Sequence, residues 1–466
     1  MANLLTDKTN KALVSMSLPI SIGMLSTFLF QVIDTYFVGQ LGAEALAALS
    51  FASTVYFLLV GLFIGFSVGV SIIIGTATGA GDMSKVKKTT LIALGLSLLL
   101  SGTLAALATV FIDPVFNLLG ATSEVMPYIK AYTVPLLMGI PLLTTGLVSG
   151  GILRASGNVT KPEVLMGIAG VINLVLDYAL IFGKWGFPEM GIRGAALATV
   201  SSWVFIIIGM LFLLFQDRLL AFKTKATDSV KSVVQEIFRL GLPTIATQII
   251  GPFTLMFLTF LLARQSSLAV AAFGVAGRIE ILLMIGILGV STAMTPFIAQ
   301  NLGAKNKDRI EEAIAFGGRA STYFGLLVAV LLFIFIKPIA GIFSDNAEVV
   351  ANTSYYFYIV SLSYISYGLF LITTSIFNGL QLPVNSLRIS LVKSFLFTVP
   401  LTFIGSFWGT YGIFGGLALS NVLAGFYAAR QMKKEFIRVN SSLKDVNVID
   451  EYKKDFRRLI ALVKKK

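Results

Sequence analysis

Twelve long apolar segments, separated by short polar stretches, constrain this chain more than any other feature of its sequence. An α-helix needs roughly 20 apolar residues to cross the hydrocarbon core of a bilayer. In lipid every backbone polar group must find its partner within the chain, which a helix achieves by itself. The sequence therefore predicts an all-α polytopic membrane protein. The predicted spans are 13–38, 46–78, 89–112, 126–153, 162–183, 191–215, 237–262, 268–299, 313–336, 348–380, 386–407 and 412–432.

Composition supports this fold class and excludes several kinds of chemistry. Apolar types make up 56% of the residues and charged types 13%, whereas a soluble domain has about 45–50% and about 25%. Cysteine and histidine are absent, so disulfides, thiolate zinc sites and a histidine general base are excluded. No Gly-rich stretch ends in the Gly-Lys-Ser/Thr of a phosphate loop. We therefore predict no enzyme activity, no cofactor and no metal site other than one for a coupling cation.

The basic residues are distributed unequally between the two sides of the membrane. If the N-terminus is cytoplasmic, 28 of the 36 Lys and Arg residues fall in cytoplasmic segments, four outside and four within spans. This asymmetry predicts that both termini lie in the cytoplasm. It also explains the net charge of +13 without a nucleic-acid partner. Residues 436–466 form a basic tail, and from Leu443 onward its apolar residues recur at helical spacing, which predicts an amphipathic helix on the inner surface or, alternatively, a solvated tail.

The two halves of the chain match each other at an offset of 224 residues. Leu18-Pro19 corresponds to Leu242-Pro243, and Gly79-Ala80 corresponds to Gly303-Ala304. Each half holds six spans, which return the chain to its starting side, so we predict parallel repeats about an axis along the membrane normal. The predicted domains are an N-lobe over residues 1–215, a cytoplasmic linker over 216–237 and a C-lobe over 238–435. Transporters with such repeats bind their substrate where the bundles meet.

Four polar side chains of the N-lobe are predicted to lie at one depth in the membrane. Asp34 and Asp177 lie near the outer ends of the first and fifth spans, Tyr132 reaches that depth from the fourth, and Asn173 is one turn deeper than Asp177. An ionisable residue within a span costs about 3 kcal/mol, so its retention indicates function. The pocket could take a proton or hold Na⁺ through oxygen ligands. The alternative is that each carboxylate only caps or crosslinks helices.

The C-lobe carries different charges, because the counterpart of Asp34 is Leu258. Arg278 and Glu280 lie midway along the eighth span, and Lys393 lies in the eleventh. Residues two apart on a helix do not face each other, so Arg278 and Glu280 need separate partners. These three residues form either structural ion pairs or a second polar site.

Pro19 lies within the first span, fifteen residues before Asp34. A proline at this place frees a backbone carbonyl and can kink the helix. The kink is either purely structural or a bending point that couples protonation to helix movement. Pro243 at the same place in the second half, with no aspartate after it, favours the structural reading.

Several of these motifs are similar to those of one transporter family. They are Leu18-Pro19-Ile20, the stretch from Gln31 to Gly42 that contains Asp34, the following Ala45-Leu-Ala-Ala48, and the pair Asn173 and Asp177. Over residues 10–435 the chain resembles the multidrug and toxic compound extrusion (MATE) family, and within it the bacterial DinF-like branch. The resemblance implies a V-shaped pair of lobes that exports amphipathic, often cationic drugs in exchange for H⁺ or Na⁺.

The resemblance also implies roles for individual residues. Asp34 and Asp177 are implied to bind the coupling cation, Asn173 and Tyr132 to belong to the same network, and Pro19 to bend the first helix. Some members add an asparagine from the fourth helix, and spacing places Gly150 there, which leaves a Na⁺ site one ligand short and favours H⁺.

The expected function is therefore a proton-coupled multidrug antiporter of a bacterial inner membrane, working as a monomer by alternating access. Its partners would be small-molecule drugs and the lipid bilayer. The alternative transport function is a flippase for lipid-linked precursors, which the few intramembrane bases disfavour. A membrane scaffold or sensor is the non-transport alternative, and the charge difference between the two repeats argues against it.

Overall fold

The structure, a computed structural model, describes residues 3–221 and 229–439. Within these ranges almost every residue is helical and none lies in a β-strand, which confirms the predicted all-α fold class. The amphipathic helix predicted in the tail from Leu443 lies outside the described residues. Seven residues of the predicted linker, 222–228, also lie outside them.

The long helices of the first half follow the predicted spans, with ends that differ from the prediction by at most six residues. One short helix, α4, was not predicted, because seven residues are too few to show a periodic pattern. The bounds are α1 Thr9–Gly39, α2 Ala43–Gly79, α3 Met83–Val110, α4 Ile112–Leu118, α5 Met126–Ala155, α6 Thr160–Phe182 and α7 Ile192–Gln216.

The second half repeats this order with three irregular segments, of which one, the 3₁₀ turn at Ser406–Trp408, lies between the last two helices. A 3₁₀ turn at Ser361–Ser363 interrupts the tenth predicted span, and a π-helical segment at Val392–Thr398 interrupts the eleventh. The bounds are α8 Val230–Ala263, α9 Ser267–Gly303, α10 Lys307–Phe343, α11 Ala347–Val360, α12 Tyr364–Gly379, α13 Pro383–Leu391, α14 Val399–Gly405 and α15 Gly409–Val439.

Twelve membrane crossings result from these helices. Eleven helical stretches are long and apolar enough to cross a bilayer, and the last of them, Pro383–Glu435, has 53 residues. A straight helix of that length would measure about 80 Å, far more than the ~30 Å hydrocarbon core. The chain turns at Gly409, whose φ is 74°, and α14 packs against α15. The last stretch therefore supplies two spans, and the prediction of twelve is confirmed.

The π-helical segment has a local cause in the sequence. Pro400 has no N–H to donate and its ring excludes the carbonyl four residues earlier from the normal helical position. The turn before it widens, and the Thr398 hydroxyl donates to the carbonyl of Lys393, five residues back, at 2.9 Å. Apolar periodicity cannot reveal such a change, because the segment remains helical and apolar.

The repeat extends to the backbone geometry of a turn. Gly81, just after α2, has a φ of 75°, and Lys305, at the same place after α9, has a φ of 60°. The next amides, those of Asp82 and Asn306, donate to carbonyls five residues earlier at 2.9 and 2.8 Å. The same helix-ending turn therefore occurs 224 residues apart, once with glycine and once with lysine in the left-handed conformation.

The helices form two compact units by their contacts. Of the described residues, one unit contains 3–5 and 18–249, and the other contains 6–17 and 250–439. In the first unit α5 is the central helix. Of its most apolar 18-residue stretch 78% is buried, against 28% for the corresponding stretches of α3 and α6. These boundaries differ from the predicted lobe ends at 215 and 238, because the first part of α8 packs within the first unit. There the Thr244 hydroxyl donates to the carbonyl of Gly65 in α2 at 2.6 Å.

Candidate functional site

A cavity of about 350 Å³ lies within the first unit, between α1, α2, α5, α6 and α7. Its volume falls within the range of small-molecule pockets, roughly 300–1,000 Å³. Most of its lining is apolar or aromatic. The polar side chains that line it belong to Thr27, Gln31, Asp34, Thr35, Ser53, Tyr56, Tyr132, Asn173, Thr199 and Ser202.

Two carboxylates form the charged part of this site. Asp34 of α1 lines the cavity, and Asp177 of α6 is completely buried within electrostatic range of Asp34. Oδ1 of Asp34 and both carboxylate oxygens of Asp177 have no hydrogen-bond partner among the described residues. A carboxylate that capped or crosslinked helices would have such a partner, so the structure disfavours that alternative.

A close approach of α1 and α6 brings these carboxylates to the same part of the first unit. The ring of Phe30 lies over Gly170, where an added Cβ would be 2.0 Å from two ring carbons. Asp34 is one helical turn beyond Phe30, and Asn173 and Asp177 are one and two turns beyond Gly170. The contact of Phe30 with Gly170 therefore places Asp34 opposite the polar side chains of α6.

The other two predicted residues also reach this site. Tyr132 of α5 is 6% exposed and lies within electrostatic range of both carboxylates. Asn173 lines the cavity, and its amide donates to the Thr199 hydroxyl at 3.4 Å. The structure thus brings together all four residues predicted from their depth in the membrane.

Three further side chains of the site were not predicted. Thr199 contacts Asn173, and the Tyr56 and Trp203 rings stack at 6.0 Å with an interplanar angle of 5°. Tyr56 lies within electrostatic range of Asp34. The repeat contains a signal for Tyr56, because the offset of 224 maps it onto Glu280. Thr199 and Trp203 have ordinary residue types for a span, and the sequence does not distinguish them.

The structure corrects the position expected for Gly150. A Cβ added there would lie 3.6 Å from Arg154 and Met210, and Gly150 does not line the cavity. Its missing side chain therefore removes no ligand from this site, whereas Thr199 adds a hydroxyl oxygen. The number of oxygen ligands, taken alone, does not decide between H⁺ and Na⁺.

The second unit has a polar cluster of its own. The Tyr356 hydroxyl donates to Oε2 of Glu280 at 2.7 Å, and Lys393 lies within electrostatic range of Glu280. Arg278 is solvent- or lipid-exposed and has no ion-pair partner among the described residues. The structure thus places Glu280 and Lys393 in one polar cluster without a direct ion pair and leaves Arg278 outside it, as the two-residue spacing of Arg278 and Glu280 predicts.

Pro19 lies inside the continuous helix α1. The division between the two contact units falls between Ser17 and Leu18, next to this proline. The Ser17 hydroxyl donates to the carbonyl of Leu13 at 2.7 Å. Pro19, which has no N–H to donate to the helix, therefore lies two residues after Ser17, the last residue of α1 that belongs to the second unit.

Comparison with known proteins identifies the family. A family model described as MatE matches the chain twice, over residues 19–179 and 243–404, and the two matches begin 224 residues apart. This confirms the predicted repeat.

Three similar proteins illustrate the match. A protein named FAD transporter from Shewanella oneidensis is 34% identical over 92% of this chain and 96% of its own length. A probable multidrug resistance protein NorM from Thermotoga maritima is 29% identical over 73% of each chain. The crystal structure of the Vibrio cholerae MATE transporter VcmN in the bent form superposes with a TM-score of 0.88 at 27% identity, covering 93% of this chain and 98% of that chain. The chain therefore belongs to the multidrug and toxic compound extrusion (MATE) family of multi-pass membrane transporters.

Proposed function

We propose that this chain is a cation-coupled antiporter of the DinF-like branch that exports amphipathic aromatic compounds, with H⁺ favoured over Na⁺ as the coupling ion. The observation that carries the proposal is the pair Asp34 and Asp177, which lie together without hydrogen-bond partners for three of their four oxygens. Buried charges without partners are costly, so this site needs a cation to neutralise it. It would work as a monomer in a bacterial inner membrane, with both termini in the cytoplasm.

The choice of H⁺ rests on what each cation requires. A proton neutralises a carboxylate by forming one bond, whereas a metal cation such as Na⁺ needs a shell of several oxygen ligands. Asp177 is completely buried, and its carboxylate has no neighbouring donor to hold it in a fixed orientation. The same carboxylates with Asn173 and Thr199 could supply oxygen ligands to Na⁺, so ion gradients must be varied separately in any test.

The proposed cycle couples this site to α1. With Asp34 and Asp177 ionised, the cavity accepts an amphipathic compound. Protonation from outside neutralises the carboxylates, α1 bends next to Pro19, and the compound is released. Support comes from the position of Pro19 within α1, fifteen residues before Asp34, where its ring removes one helical hydrogen bond.

The cavity favours planar, apolar compounds over diphosphate lipids as occupants. Its aromatic lining residues include Phe30, Tyr56 and Trp203, and no Lys or Arg is among the residues that line it. Relatives named as multidrug resistance or export proteins support drug export. Export of flavin nucleotides is a second candidate, supported by the Shewanella oneidensis relative named FAD transporter, which matches over 96% of its length.

Exchange in proteoliposomes tests the coupling role of Asp34. We expect Asp34→Asn to abolish the exchange of ethidium for H⁺ that the unchanged protein catalyses under an imposed pH gradient. An imposed Na⁺ gradient at constant pH should drive little exchange in the unchanged protein.

The matched control is Asp113→Asn. Asp113 is also in the first unit, but its side chain is 51% exposed and pairs with Lys130 at 2.7 Å. This variant should exchange at nearly the unchanged rate. Undiminished exchange by Asp34→Asn would contradict the assignment, and exchange driven equally well by Na⁺ alone would contradict the preference for H⁺.

A further inference from the structure

The second unit contains a cationic side chain that the proposed coupling cycle does not use. Nζ of Lys393 lies over two aromatic rings, 5.2 Å from the centroid of Tyr367 and 5.4 Å from that of Phe370. The two rings are nearly parallel, with centroids 6.2 Å apart and an interplanar angle of 10°. These two rings, the aromatic platform, hold the ammonium group by cation–π attraction. Their faces supply no oxygen acceptor for its three N–H donors.

Lys393 is not part of a closed ion pair. No carboxylate oxygen of the described residues lies within 4.0 Å of its ammonium group. Glu280 lies within electrostatic range, but its Oε2 accepts instead from Tyr356. A purely structural pair would bring the two charges into contact, because the Coulomb energy must offset desolvation of both groups.

The repeat shows that this cluster occupies the same place in its unit as the cavity does in the first. At the offset of 224, Tyr356 corresponds to Tyr132 and Glu280 corresponds to Tyr56. Each of these corresponding positions carries a polar side chain that faces the interior of its unit. The first-unit cavity is lined by a carboxylate and no base, whereas the second unit offers a partly exposed base. An anionic group would find a counter-charge at Lys393 and none in the cavity.

We propose that Lys393, on the Tyr367 and Phe370 platform, is a binding site for the anionic group of an exported aromatic substrate, with a phosphate ester as the chemical class. This inference rests on the proposed function, because it assigns the substrate of the same transporter. The ammonium group donates to phosphate oxygens in charge-assisted hydrogen bonds. Glu280 is held by the Tyr356 hydroxyl and makes no ion pair with the ammonium group.

Binding of three flavins to the full chain in lipid nanodiscs tests this assignment. Riboflavin has the ring without phosphate, FMN adds one phosphate, and FAD carries a diphosphate. Calorimetric titration should show that Lys393→Met weakens FMN and FAD binding about 10-fold or more, the loss expected for a hydrogen bond to a charged group. Riboflavin binding should change less than about twofold, and Lys393→Arg should retain most of the FMN affinity.

Lys337→Met is the matched control, since it removes the same charge from an exposed position on α10 of the same unit. It should leave all three affinities unchanged. The proposal is overturned if Lys393→Met binds FMN as the unchanged protein does, or if all three flavins weaken equally. An unchanged protein that binds ethidium but no flavin also overturns it and leaves drug export intact. Failure of the proposed function would instead appear as absent exchange of every compound in the proteoliposomes.

Discussion

At the scale of single residues, the carboxylates of this protein differ mainly in the partners that surround them. Asp113 and Glu236 pair with lysines at 2.7 and 2.8 Å. Asp34 and Asp177 lie together in the first unit, where three of their oxygens lack any hydrogen-bond partner among the described residues. Because an unpartnered buried carboxylate destabilises the fold, its presence is best explained by a ligand that binds there.

A backbone conformation provides a residue-scale test of the repeat. Lys305 has a φ of 60° where its counterpart Gly81 has 75°. A residue with a Cβ pays about 1–2 kcal/mol in the left-handed region, and glycine does not. We expect Lys305→Gly to raise the free energy of unfolding by about 1 kcal/mol, visible as a Tm roughly 1–2 °C higher in detergent.

The reverse exchange is the control for that experiment. Gly81→Ala places a Cβ in the same turn of the first unit, where nothing lies within 4 Å of the added atom. Its Tm should fall by a similar amount through conformation alone. Equal Tm values for Lys305→Gly and the unchanged protein would show that the strain is relieved elsewhere.

At the scale of elements, the contact between α1 and α6 decides the geometry of the site. Both helices can be predicted from their apolar content, but their contact depends on a glycine that accommodates a ring. An added Cβ at Gly170 would lie 2.0 Å from ring carbons of Phe30, a distance too short for two nonbonded atoms. The depth of Asp34 and Asp177 is thus a property of the sequence, whereas their proximity is a property of this contact.

Gly170→Ala should therefore impair the site without touching a polar residue. The methyl group forces α1 away from α6, and overpacking of this kind costs about 1–3 kcal/mol. We expect a lower Tm and slower proton-coupled exchange in proteoliposomes. The double variant Gly170→Ala with Phe30→Ala removes the clash and should recover exchange relative to Gly170→Ala alone. Failure of the double variant to recover any exchange would show that the α1–α6 contact is not what the substitution disturbs.

Two irregular helical segments show where prediction from periodicity ends. The 3₁₀ turn at Ser361–Ser363 and the π-helical segment at Val392–Thr398 both lie inside apolar spans whose existence was predicted correctly. Hydropathy depends only on the residue types of a segment. It does not change when a helical turn contains a residue more or less than the α-helix has. The orientation of Lys393 over its aromatic platform depends on that turn and could not be predicted.

At the scale of the whole molecule, the distribution of Lys and Arg predicts which loops face the cytoplasm. The chain contains no cysteine, so single cysteines can report the side of each loop. With Lys307→Cys and Lys184→Cys, both at exposed positions, we expect a membrane-impermeant maleimide to label only Lys184→Cys in intact spheroplasts.

Permeabilised cells supply the control, because both variants should then be labelled equally. Labelling of Lys307→Cys in intact cells would contradict the predicted orientation. Labelling of both positions in intact cells would indicate a mixed orientation, which a 28 to 4 charge asymmetry makes unfavourable.

The sequence by itself determined the fold class, the twelve crossings, the internal repeat and the shared depth of four polar residues in the membrane. Each of these follows from hydropathy, charge or spacing, which are properties of the chain along its length. The tertiary structure decided what depends on contacts between distant segments. It grouped the first part of α8 with the first unit, added Tyr56, Thr199 and Trp203 to the cavity, moved Gly150 away from it, and set Lys393 on two rings. Such contacts depend on how individual side chains pack. A helix between lipid and protein is apolar on nearly every face, so its hydropathy does not show which face makes the contacts.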